Sequence, residues 1–173
     1  MIEIIPNWHP VFVHFTVALI SVATFFYCAG LIFHNKKFGH EMLIAARWCL
    51  WPGALAAIVT VIAGFIAYYS VTHDSPSHNA MTIHRNWALG TLIVILILSI
   101  WSIRTYLKDK SISLWFILGM LIAFSLVTIT AWHGAELVYR YGLGVMSLPE
   151  ADKPSHAHSH KTRQNNESNA HSH

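Results

Sequence analysis

Thirteen histidines stand in this 173-residue chain, against eleven lysines and arginines together. They are the residues most able to do chemistry. A neutral imidazole offers one lone pair to a metal and one N–H to a partner, and it titrates near neutrality. His14, His84 and His133 fall within or at the edges of apolar runs, where an ionisable side chain is costly and marks a functional site by default. His14 is followed at helical spacing by Ala18 and Ser21, and His84 by Ala88 and Thr91. Small residues beside a histidine mark a face that packs closely against another helix or a flat ligand.

The strings VHFTVALIS at 13–21 and IHRNWALGT at 83–91 are alike. The offset of 70 between them also pairs Thr60 with Thr130, Gly64 with Gly134 and Tyr69 with Tyr139. These matches predict two parallel helical hairpins related by an axis along the membrane normal, with His14 facing His84 at matching depth. Along the rest of the chain the same offset yields no more identities than an apolar composition gives.

Two imidazoles facing across a helical bundle are the ligand set of a haem b with six-coordinate, low-spin iron, suited to electron transfer. Arg85 and Arg140 would then meet its propionates, and a backbone carbonyl or His133 would fix each ligand's tautomer. The competing chemistry is a zinc or copper ion held by His14, His84 and His133, with His9, Asp74 or Glu136 completing the set. No nucleophile–base constellation, phosphate-binding glycine loop or carboxylate dyad is present, so hydrolase and transferase chemistry is not expected.

The elements that must position these residues follow from composition. Of the chain, 54% is hydrophobic and only 11% charged, with a mean hydropathy of +0.46; an average soluble domain is about 25% charged. This excludes disordered, fibrous and disulfide-scaffold classes, and a net charge of +3 is too small to argue for nucleic acid. Four apolar stretches, 11–33, 44–70, 87–106 and 114–139, each reach the roughly 20 residues a membrane helix needs. The expected fold is all-α, an integral membrane four-helix bundle over residues 1–145, in contact with lipid. Pro10 suits a first helical turn, and Pro52 should kink the second helix. Cys28 and Cys49 sit in apolar runs and read as packing residues.

Lys36, Lys37, Arg47, Arg104, Lys108 and Lys110 gather on the face of the first and third loops, which places that face inside and both termini outside a bacterial plasma membrane. Residues 146–173 read as a disordered, histidine-rich tail, in which His156, His158 and His160 are candidate weak metal ligands. The leading function is a small haem protein passing electrons on the outer side, to or from a quinone or redox protein. The alternatives are an outward-facing metal-ion or transport-accessory protein, and a non-catalytic subunit of a homo-oligomer or larger complex.

The string NWHPVFVHFTVAL, at 7–19, resembles the opening of a bacterial membrane family labelled domain of unknown function 2231, whose members begin HP-x-x-VHFPIAL. GAELVYRYGLGV, at 134–145, resembles its closing GG-x-LVYRHGVGV. Thr16 replaces a usual proline and Tyr141 a frequent histidine, and His133 stands where the family commonly has another residue. The resemblance implies a four-span bundle and no particular chemistry.

Overall fold

The computed structural model describes residues 7–71 and 73–145. They form four helices, α1 (His9–Ile32), α2 (Lys37–Ser70), α3 (Ser75–Leu107) and α4 (Leu114–Tyr139), with no strand among the described residues. Each is long and apolar enough to cross a membrane. The chain is an all-α, four-helix membrane bundle.

The first and last spans lie where the apolar runs place them. The middle two begin earlier, α2 at Lys37 rather than 44 and α3 at Ser75 rather than 87. Hydropathy finds the part of a helix that lies in hydrocarbon, whereas a cap decides where it starts. Asp74 accepts from the Ser77 amide and Ser77 Oγ returns to the Asp74 amide, a reciprocal capping box. At about 1.5 Å per residue, α2 and α3 are roughly 50 Å long, against about 30 Å of hydrocarbon. Their polar ends therefore stand beyond it. Pro10 occupies the first turn of α1, and α2 runs on as one helix through Pro52.

The helices pack in a ring, each against its two neighbours, and across the α1–α3 diagonal side chains meet at His9–His84 and Tyr27–Ser102. Helix contact in lipid gains little from hydrophobicity and depends on close packing of small residues. On α1 and α2 these are Ala23, Ala46, Ala54 and Ala57, all buried. A Cβ at Gly53 would lie 3.0 Å from Ile20 Cδ1 and 3.1 Å from Leu19 Cβ, so these two helices touch where a side chain is missing. The outward face of α2 carries Trp48, Leu55, Ile62 and Ile66, all exposed as lipid-facing residues must be. Cys28 and Cys49 are unpaired and half-buried.

The two hairpins repeat one another, with different offsets for their two helices. Thr16, Ile20, Ala23, Thr24 and Tyr27 of α1 are buried, and 75 residues later so are Thr91, Ile95, Leu98, Ser99 and Ser102 of α3. On α2, Ala46, Leu50, Gly53 and Ala57 are buried, and 70 residues later so are Phe116, Met120, Ala123 and Val127 of α4. The offset changes because α2 starts further ahead of its first equivalent core position than α4 does. A single offset of 70 therefore aligns α2 with α4 correctly and misaligns α1 with α3. His84 is the counterpart of His9, not of His14.

Candidate functional site

His9 opens α1, and its Nδ1 lies 3.0 Å from the carbonyl oxygen of Thr60 on α2. His84 lies further along α3, and its Nδ1 lies 3.1 Å from the carbonyl oxygen of Thr130 on α4. A carbonyl can only accept, so each Nδ1 carries the hydrogen and each neutral ring keeps its lone pair on Nε2. No hydrogen bond reaches either Nε2 among the described residues, and no sealed, unsatisfied side-chain atom exists there. Neither nitrogen is therefore sealed away without a partner.

The rings fit because two glycines make room for them. A Cβ at Gly64 would lie 3.0 Å from His9 Cε1, and one at Gly134 would lie 3.2 Å from His84 Cε1. Below each ring a threonine pair ties the same helices: Thr16 to Thr60 at 2.8 Å and Thr91 to Thr130 at 2.8 Å. Thr91 Oγ1 also donates to the Trp87 carbonyl, so in that pair Thr130 donates. The two half-sites are near copies.

Across the diagonal the ring centres are 6.2 Å apart and the planes cross at 78°. Metal–imidazole bonds are about 2.0–2.1 Å and a ring centre lies roughly 1 Å behind its nitrogen, so two imidazoles on opposite sides of one metal would have centres about 6 Å apart, close to this separation. The histidines line a largely apolar cavity of about 620 Å³, floored by Ala57, Ile95 and Val127.

The other sequence candidates divide around this cavity. His14 is on its wall but exposed, with Nδ1 bonded to the Pro10 carbonyl of its own helix. It does not face His84, as the single offset had placed it; His9 does. Arg85 is at the cavity mouth, its guanidinium 5.1 Å from the centre of the Tyr68 ring. His133, Glu136 and Arg140 form a separate group outside the lining. His133 stacks on Trp87 and stands 3.7 Å from Glu136, and Glu136 accepts from Arg140 at 2.8 Å. Arg140 is therefore already paired, and His133 is not what fixes the His84 tautomer. Asp74 is engaged by Ser77 as a helix cap. No group of three or more metal-ligating side chains gathers among the described residues. His156, His158 and His160 lie outside those residues.

His9 carried a signal that spacing alone could have exposed. It precedes Thr16 by the same seven residues that separate His84 from Thr91. The local likeness of VHFTVALIS to IHRNWALGT concealed it.

Fold and site together define a four-span membrane protein with a paired-histidine cavity in one half of its bundle. The chain belongs to the predicted membrane protein family DUF2231, whose model matches residues 6–147. No curated protein and no solved structure matches it.

Proposed function

We propose that the cavity holds a haem b ligated by His9 and His84, and that the protein is a small membrane electron carrier. The observation that carries this reading is the pair of imidazoles, pinned through Nδ1 on equivalent carbonyls, with ring centres 6.2 Å apart on the wall of an apolar cavity. The reading keeps His84 as a ligand and replaces His14 with His9. Two protein donors suit a group that brings its own equatorial nitrogens; a bare zinc or copper ion calls for a third or fourth side chain. Bound there and held by His9 and His84, haem would supply a one-electron couple suited to electron transfer. The chain's own part is to hold both rings in one tautomer, keep water from the apolar floor and offer Arg85 to a carboxylate at the mouth.

The excess of Lys36, Lys37, Arg47, Arg104, Lys108 and Lys110 at the other end supports placing the histidine end outside a bacterial plasma membrane. An electron partner, quinone or protein, would then be met on the outer side.

The test is the optical spectrum of protein purified from haem-replete cells. The wild type and His14→Ala should show the sharp reduced bands of low-spin haem b; His9→Ala and His84→Ala should lose them. A colourless wild type, or haem retained in both His9→Ala and His84→Ala, contradicts the reading.

A further inference from the structure

At the opposite end of the bundle, a second cavity of about 530 Å³ lies between α2, α3 and the α3–α4 turn. Trp48, Trp51 and Tyr106 are among its walls. Trp51 spends its Nε1–H on Ser102. Arg47 enters this aromatic setting half-buried. Its Nε donates to the Leu43 carbonyl of its own helix, and its guanidinium lies 5.0 Å from the centre of the Tyr106 ring. No carboxylate pairs with Arg47 among the described residues. Lys110 joins it from the turn, where Asp109 takes the left-handed conformation (φ 48°) and the Lys110 amide donates to Thr105.

A partly desolvated guanidinium is costly without a counter-charge, and its planar fork matches phosphate. With Asp109 also on the wall, Arg47 and Lys110 leave a net positive charge that a neutral ligand would not compensate. Trp48 and Tyr106 are 66% and 52% exposed at the edge of this cavity, the depth at which aromatic side chains meet lipid head groups. Basic pockets between membrane helices are a recurrent setting for anionic lipid head groups. We infer that this cavity binds the phosphate of an anionic phospholipid from the adjoining leaflet, anchored by Arg47 and Lys110 and flanked by Trp48 and Tyr106. The inference is independent of any cofactor in the other half.

The test uses the full-length chain, stripped of lipid in a non-ionic detergent and titrated with phosphatidylglycerol or phosphatidylcholine under native mass spectrometry. One phosphatidylglycerol should be retained and phosphatidylcholine should not. At about 1 kcal/mol per basic side chain near the surface, Arg47→Gln and Lys110→Gln should each weaken retention about fivefold. Arg104→Gln, an exposed charge at the same end but outside the cavity, should not. Equal weakening by Arg104→Gln would reduce the effect to diffuse surface charge and overturn the site. So would equal retention of phosphatidylcholine, or displacement of the lipid by millimolar inorganic phosphate, which would make the ligand a free anion. Should Arg47→Gln fail to fold, Lys110→Gln on the exposed turn decides, and unchanged retention there overturns the proposal.

Discussion

The histidine half and the tyrosine half of the bundle use equivalent positions to opposite ends. On the diagonal between α1 and α3, His9 and His84 are repeat counterparts, and so are Tyr27 and Ser102. The histidines are alike, and their rings stand 6.2 Å apart with a cavity below them. The other pair is unequal. Tyr27 is fully buried, its hydroxyl lies 2.8 Å from Ser102 Oγ, and Trp51 donates to the same oxygen. Phe116 closes on the Tyr27 ring at 4.9 Å. One large and one small residue fill the axis, whereas two medium polar rings leave a slot. The repeat supplies the frame, and departure from symmetry decides which half is filled on the α1–α3 diagonal.

The largest effect should come from filling the slot. Gly64→Val and Gly134→Val each place a branched side chain where a histidine ring now lies. Either should abolish cofactor uptake while the helical circular dichroism stays unchanged. A variant that keeps its haem would show that the rings do not depend on the glycines.

Next is the tyrosine half. Tyr27→Ala removes a fully buried ring and should cost roughly 3–5 kcal/mol, the range for aromatic truncation in a packed core, measured as a lower midpoint in detergent-to-SDS unfolding. Tyr27→Phe removes only the bond to Ser102 and should cost about 1 kcal/mol. Neither should move the haem spectrum, and a shift in it would join the two halves that the comparison separates.

Smaller still are the threonine ties. Thr16→Val and Thr91→Val each break one interhelical hydroxyl pair, worth about 0.6 kcal/mol and at most about 1.7 for hydrogen bonds between membrane helices. The two costs should be equal if the half-sites are true copies. A large inequality, read by the same unfolding titration, would break the symmetry.

The least effect belongs to the rim of the histidine half. Hydrogen bonds from the Ser77 hydroxyl and amide hold the Asp74 carboxyl below its ordinary pKa. A carboxyl with a depressed folded pKa contributes its stabilisation above its unfolded pKa, and loses it as pH falls through the folded value. Amide exchange in the first turn of α3 should therefore lose protection on acidification, allowing for the intrinsic pH dependence of exchange. In Asp74→Asn that added sensitivity should be absent.

Much of this was legible in the sequence, for reasons that differ by residue. Four spans follow from hydropathy because lipid demands apolar helices. The starts of the middle two did not, because Lys36–Lys37 and Asp74 start helices in water, where hydropathy is silent. Thr60, Thr130, Gly64 and Gly134 were visible as repeat partners, since α2 and α4 share one offset. His9 reads from the sequence only as an added metal ligand, not as the partner of His84, because α1 and α3 share another offset and the likeness of VHFTVALIS to IHRNWALGT hides the common seven-residue step from histidine to threonine. His133, Glu136 and Arg140 looked like site residues by type, and the structure places them beside one another and Trp87, outside the cavity lining.

The central claim is that His9 and His84 ligate one haem iron together. Low-temperature electron paramagnetic resonance of the oxidised protein tests it most directly. With ring planes crossing at 78°, the account predicts a strongly anisotropic low-spin signal. It should be lost in both His9→Ala and His84→Ala and kept in His14→Ala. A high-spin signal in the wild type, or a low-spin signal that survives either ligand substitution, would contradict it.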